Sequence, residues 1–347
     1  AADGRQIMVD GRETAPARAD KDMYLDENGN IRPGASLDGP SAAAIPGVPA
    51  GIVHLVKQYG RLSLAEVLAP AIHHAGAGFP VTEHYRHLAG TRLEVLRSWP
   101  ESAAIFLQNN EIPPAGHLLV QKNLAGTLEL LARHGAEGFY GGDIAGRLVQ
   151  DVQRHGGIWD MDDLRGYAVV ERPPIIINYQ GIRIVSAAPP SSGGIVLGQA
   201  LNILENFRLN RLDNVRQKHL IIEAMRRAYR DRAAYLGDPD FVLVPVQRLL
   251  DKEYAAGLAE TIELERATPS TEIGGMDTLA ETGTNTTHFS VIDTEGNRVA
   301  ATLSINLPFG SGYAPAGTGV LLNDEMDDFA VKPSTPNAYG LTGGQAN

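Results

Sequence analysis

The sequence contains no cysteine, which excludes disulfides, thiolate zinc sites and a cysteine nucleophile. This leaves the compartment open, because a cysteine-free chain suits the cytosol and the periplasm equally. No apolar run approaches the roughly 20 residues needed to span a bilayer, and the opening AADGRQIMVD lacks the basic-then-apolar pattern of a signal peptide. Basic charge is scarce: 30 Lys and Arg stand against 41 Asp and Glu, for a net charge of -11, and no Lys/Arg block occurs. A nucleic-acid partner needs a basic footprint and is argued against. Neither a GxSxG elbow nor an SxxK motif is present to activate a serine. What remains is 347 residues with 43% hydrophobic content, enough to fill a sizeable core in one large or two medium domains. The chain stops in the glycine-rich GLTGGQAN without a closing element, and it is expected to be a fragment.

Residues 1–50 are rich in Gly, Pro, Asp and Ala and should be mostly loop, with a short strand around Gln6–Val9. From Ser63 the pattern turns helical: Leu64, Val67, Leu68, Ala71, Ile72 and Ala75 share a face, and Ser63 with Glu66 forms a capping box. Pro70 should bend this helix or mark a junction. Leu124, Leu128 and Leu131 predict a helix ending at Gly135, and Asp143 is expected to cap another with Ile144, Leu148 and Val152 on one face. PIIINYQGIRIVSA reads as a hairpin, and PPSSGG as a turn feeding a helix. Asp213 opens the longest helix, with Ile221, Met225, Ala228 and Tyr229 on one face. Its basic run of Lys218, Arg226, Arg227, Arg230 and Arg232 reads as a solvated surface rather than an anion site. Residues 264–285 are polar and read as a mobile surface segment; HFSVI and RVAATLSI then form two alternating strands joined by DTEGN.

The stretch TNTTHFS, residues 284–290, crowds hydroxyls at the entry to the first of these strands. A threonine hydroxyl is a weak nucleophile unless a base stands beside it. Cleavage between Asn285 and Thr286 would supply one, since the freed α-amine, with an ordinary pKa of roughly 7.7 to 8.0, can take the proton of its own residue's hydroxyl. The plain alternative is a strand entry in which Thr follows β-propensity and Asn marks a turn. His288, two residues on, shares the strand face of Thr286 and reads as structural rather than as a base. Adjacent His73 and His74 point apart on a helix and form no metal set with distant His84. PSSGGIVLG lacks both the P-loop lysine and GxGxxG spacing.

TTHFSVIDTEGNRVAATLSIN, followed by FGSG and LLNDEMDDF, resembles the start of the small subunit of gamma-glutamyltransferases, which are N-terminal nucleophile hydrolases. The likeness extends upstream through DGRETAP (Asp10–Pro16), PGVPAG (Pro46–Gly51), LAPAI with GFPV, PPSSGG and AYLGDPDF (Ala234–Phe241), so it covers essentially the whole chain. The resemblance implies an α+β fold: an αββα N-terminal nucleophile hydrolase sandwich, incomplete in this chain. It implies residues 1–285 as a large-subunit portion lacking its N-terminal segment and 286–347 as the start of a small subunit lacking its C-terminal part, together one intertwined domain.

By the same resemblance Thr286 is the nucleophile, freed by self-cleavage after Asn285, and Thr287 is the next threonine of the motif. Ser304 stands where the family usually has a threonine supporting the nucleophile. Asn306 touches the amino-acid end of the substrate, Arg12 binds its α-carboxylate, and Glu325 with Asp328 holds its α-ammonium. An arginine and two carboxylates do match a zwitterion. Without the resemblance, Asp324, Glu325, Asp327 and Asp328 would read as a solvated acidic loop or a calcium site, although the spacing misses the EF-hand pattern. Tyr339 in KPSTPNAYG corresponds to a lid tyrosine reaching Asn306, a loop that acylase and capsule-acting relatives tend to shorten or lack.

The implied reaction is glutamyl transfer from glutathione or a similar compound to water, an amino acid or a dipeptide. It needs no metal or organic cofactor, uses large and small subunits as a heterodimer, and takes place in the periplasm or outside the cell. Cephalosporin- or glutaryl-acylase-like hydrolysis, or an uncut non-catalytic homologue, is the alternative. The family's glycine-rich segment before DGRETAP is absent, as is the later Pro-Gly-Gly-Ser stretch whose N–H groups form the oxyanion hole. One such donor is worth about 10² to 10³ in turnover, so this chain alone is expected to be nearly inactive.

Overall fold

The computed structural model describes residues 1–274, 286–329 and 337–338. The chain divides into two compact units, each assembled from separated segments: Ala1–Ala2, Val9–Val170 and Thr282–Lys332 in one, Asp3–Met8, Glu171–Glu281 and Pro333–Asn347 in the other.

In the first unit, residues before Val48 are almost all loop, as their composition requires, apart from the strand Met8–Asp10, which reaches into this unit, and a 3-10 turn at Pro40–Ala42. The helix Leu64–Ala77 starts at the expected capping box: Ser63 Oγ accepts from Glu66 N at 3.3 Å, and Ser63 N donates to Glu66 Oε2 at 2.8 Å. Pro70 lies inside it without dividing it. Lys122–His134 ends at Gly135 (φ 64) as its leucine spacing predicts. Gly142–Arg154 buries Ile144, Leu148 and Val152, but its cap is Gly141, and Asp143 sits in the first turn paired with Arg147. These helices enclose a core in which Trp159, Leu148 and Leu164 are fully buried, and Tyr313 and Leu322 from the far end of the sequence pack into the same cluster.

The second unit contains the predicted hairpin, Ile175–Tyr179 against Ile182–Ser186, turning at Gln180 and Gly181. Next come the helix Gly193–Leu204 and the 22-residue helix Asn214–Tyr235, whose Asp213 cap accepts from Val215 N and Arg216 N. Of the expected apolar face only Ala228 is buried. Ile221, Met225 and Tyr229 are exposed, whereas Leu220, Glu223, Ala224, Arg227, Ala228 and Asp231 are buried. The basic run is only partly a solvated face: Lys218 is exposed and Arg226, Arg230 and Arg232 are half-buried, but Arg227 is buried. Glu223 accepts from Arg226 Nη1 and Arg227 Nη1, each at 2.6 Å, and from Thr268 Oγ1 at 2.6 Å. Burial alone would raise the Glu223 carboxyl, but these donors outweigh it and hold it down to about 2. Within the polar stretch after 264, Ser270–Ile273 is a short helix anchored near this cluster by Arg226 Nη2 to Ser270 Oγ at 3.0 Å.

The class is thus α+β, as expected. Among the described residues the strands pair in twos, two of the four pairs being hairpins.

Candidate functional site

The site begins with a hairpin in the first unit. Strands Thr287–Ile292 and Arg298–Leu303 pair antiparallel in the register Thr287↔Leu303, His288↔Thr302. The turn between them is set by Asp293, whose Oδ1 accepts from Glu295 N and Asn297 N, and by Gly296 at φ 87. One step beyond the last pair, this register puts Thr286 opposite Ser304, and Thr286 Oγ1 donates to Ser304 Oγ at 3.4 Å. Thr286 is exposed. His288 spends its ring on the hairpin, with Nδ1 2.8 Å from Thr302 Oγ1 and Nε2 3.4 Å from Ser290 Oγ, in keeping with a structural role.

After Ser304 the chain turns sharply. Asn306, Phe309, Gly310 and Gly312 all have positive φ, at 70, 60, 49 and 67°. Asn tolerates this region better than most residues, and Gly310 is required, because a Cβ there would sit 2.3 Å from Leu322 O. The turn folds residues 305–313 back onto 322–324: Ser311 N donates to Leu322 O, Leu322 N to Tyr313 O, and Asp324 N to Ile305 O. SINLPFGSG and NDEMDDF, read as separate motifs in sequence, thereby become one structure. Asn306 N donates to Ser304 Oγ at 3.0 Å, while Asn306 Nδ2 donates to Asp324 O at 3.0 Å.

The acidic run is buried, not solvated: Asp324, Glu325 and Asp327 are 0%, 6% and 3% exposed. Long-range hydrogen bonds make this tolerable. Asn323 bonds Ala44 in both directions, accepting from its N at 2.9 Å and donating to its O at 3.0 Å, and Ser36 Oγ donates to Asp327 Oδ1 at 2.8 Å. Against the 3-10 turn Glu325–Asp328 lies Arg12, half-exposed, with Nη2 2.8 Å from Asp328 Oδ2 and Nε 3.1 Å from Glu13 Oε1. The Arg12 backbone is fixed by Tyr167 OH donating to its carbonyl at 2.6 Å. PGVPAG packs beside DGRETAP at a contact only glycine permits, since a Cβ on Gly47 would stand 2.0 Å from both Gly11 O and Tyr167 OH.

Residues 1–347 in their entirety match the family model described as Gamma-glutamyltranspeptidase. The chain belongs to that family. It is 43% identical over 347 residues to the glutathione hydrolase proenzyme of Escherichia coli K12, covering 99% of this chain and 60% of that protein, so it spans about 60% of such a relative's length. Among solved structures it resembles Helicobacter pylori gamma-glutamyltranspeptidase (TM-score 0.77, 39% identity, 82% of each chain). It also resembles a Bacillus halodurans cephalosporin acylase (TM-score 0.79, 28% identity, 97% of this chain and 62% of that one). These likenesses establish the N-terminal nucleophile hydrolase class of the fold.

In this gamma-glutamyltranspeptidase-family chain, Thr286, Ser304 and Asn306 are joined by hydrogen bonds that end at Asp324 O, and Arg12 pairs with Asp328 on the 3-10 turn that follows and that also carries Glu325, while Asn285 and Tyr339 lie outside the described residues. The electrostatics are those of an under-neutralised acid cluster. Burial pulls the Arg12 guanidinium down, but Glu13, Asp328 and Glu325 outweigh it and hold it above its ordinary value. Burial, reinforced by Glu13 and Asp328 and opposed by Arg12, pushes the Glu325 carboxyl up to about 8. Glu13 is likewise raised, by burial first. Sequence reasoning missed Glu13, Asn323 and Tyr167 as supports for Arg12 and the acidic turn. The adjacency of Glu13 to Arg12 was a visible signal; the partners 155 and 279 residues away had none.

Proposed function

We propose that the protein of which this chain is part transfers gamma-glutamyl groups from glutathione or related amides through a threonyl ester. The carrying observation is the continuous hydrogen-bonded path from the Thr286 hydroxyl through Ser304 and Asn306 to the acidic turn whose Asp328 pairs with Arg12. Cleavage after Asn285 frees the Thr286 amine, which takes the proton of Thr286 Oγ1. The oxygen attacks the gamma-carbonyl carbon, the Ser304 hydroxyl turning to donate to it once its own proton has passed to the Thr286 amine, and the leaving amine of the substrate takes that proton as the carbon–nitrogen bond breaks. Water, an amino acid or a dipeptide then takes the glutamyl group from the ester. Arg12 receives the substrate α-carboxylate, and Glu325 and Asp328 receive its α-ammonium; the present Arg12–Asp328 pair offers each half of a zwitterion its opposite charge. Asn306 contacts the same end of the substrate, and Tyr339 covers it.

Residues 1–285 and 286–347 become portions of a large and a small subunit that stay together as one intertwined domain. In support, segments from both sides of the junction share the first unit's core. Location in the periplasm or outside the cell follows by family; among the described residues no helix is long and apolar enough to cross a membrane. The likeness to a cephalosporin acylase favours amide hydrolysis of glutaryl side chains as a second reading. Rates on a gamma-glutamyl anilide against a glutaryl anilide, measured with the complete protein, separate the two. A full-length species that is never cut before Thr286 and turns over neither substrate would refute both.

A further inference from the structure

Asp324 is one of two acids of NDEMDDF, with Asp327, to which the proposed substrate contacts give no task, and it is the most deeply buried of the motif's acids, at 0% exposure. It grips three successive residues: its N donates to Ile305 O at 3.3 Å, its O accepts from Asn306 Nδ2 at 3.0 Å, and its Oδ1 accepts from Leu307 N at 3.0 Å. Those contacts bracket the left-handed Asn306 (φ 70), a conformation that persists only when its surroundings impose it. Asp324 Oδ2 is buried and, among the described residues, has no hydrogen-bond partner. A carboxylate in that position leaves half its charge uncompensated, and the neutral acid does not.

The charges facing it do not reverse this. Arg92, at the end of the Glu83–Thr91 helix, favours the anion, but its Nη2 is committed to Asp38 Oδ1, Leu37 O and Gly310 O. Asp327 and Glu325, on the same 3-10 turn, disfavour it. Burial first, then Asp327, raises the carboxyl to about 7, against the opposing pull of Leu307 N–H and Arg92.

We propose that Asp324 is a positioning residue whose carboxyl stays neutral in the fold at mildly acidic pH and whose grip needs no charge, clamping the Ile305–Leu307 turn so that Asn306 and, through Ser304, the Thr286 hydroxyl are held in place. The proposal rests on the gamma-glutamyl reading for its kinetic consequence and is independent of it for its proton. Asn carries the same shape and the same Oδ1 acceptor without the charge, so it is the rescuing substitution. In the complete protein, Asp324→Ala should lower kcat and the rate of self-cleavage by about tenfold or more, as expected when a buried donor loses its acceptor. Asp324→Asn should keep both within about twofold.

A second measurement reads the proton without any turnover. The folded carboxyl holds its proton to about 7 and the unfolded one releases it near 3.8, so between these values the unfolded state binds fewer protons. The contribution of Asp324 to wild-type stability must therefore fall as pH rises through that window. The thermal midpoint of Asp324→Asn should gain on wild type by roughly 3 °C or more between pH 5 and pH 8. Equal kinetic losses in the Ala and Asn variants, unchanged kcat in Asp324→Ala, or parallel stability curves for wild type and Asn would each overturn the proposal. A wild-type protein inert towards gamma-glutamyl amides sinks the functional reading alone, and the stability curves still decide the state of Asp324.

Discussion

At the scale of single residues, the reactive group is the point on which function turns. Thr286→Ala should leave the chain uncut at residue 285 and lower glutamyl transfer by at least about 10³-fold, checked by mass spectrometry and by release of a chromogenic anilide. Glu325 makes a sharper test because its carboxyl is raised to about 8. Only the ionised form pairs with an α-ammonium, so below that pH the substrate must displace a proton. KM should rise by up to about tenfold per unit as pH falls from 8, separately from the fall in kcat that protonation of the Thr286 amine brings, and Glu325→Gln should flatten the KM slope while leaving the pH dependence of kcat. The identities of these residues were legible from local motifs. Their burial was not, because a run of four acids in five positions ordinarily faces water. What pulls Asp324, Glu325 and Asp327 inside are partners such as Ala44 and Ser36, about 280 to 290 residues distant in the chain, which no local pattern announces.

Secondary-structure elements were readable wherever one signal governed them. The Ser63–Glu66 box, the leucine spacing before Gly135 and the alternation on either side of Asp293–Asn297 each led to the element observed. Ser63→Ala should cost about 1 kcal/mol in urea unfolding, the usual value of such a cap. The Asn214–Tyr235 helix was misread in its facing because it buries charge. Glu223 and Arg227 at i, i+4 pair inside, and a hydrophobicity pattern assigns both to the surface. Replacing Glu223 by Leu strands Arg227 without its buried partner and should cost about 3–5 kcal/mol in denaturant unfolding. With the Glu223 carboxyl held down to about 2, its stabilisation is complete above its ordinary value near 4.5 and should disappear as pH falls through 2.

Over the whole molecule, the class of fold followed from motifs spread along the chain, but its division into two units did not. Each unit draws on segments from distant parts of the sequence, and contacts of that kind leave no periodicity to read. Tyr313 and Leu322 lie with Trp159 and Leu148 in one apolar cluster, so the two pieces left by cutting before Thr286 should co-elute in size exclusion and separate only in denaturant. The hairpin register has a consequence of its own. Thr286 and Ser304 meet because 18 positions of chain, folded about a fixed turn, act as a ruler between them. Adding a single residue to the Arg298–Leu303 strand would turn every side chain beyond it to the opposite side. A cut that depends on two hydroxyls facing each other would then be lost to a change of length, with every chemical group still present.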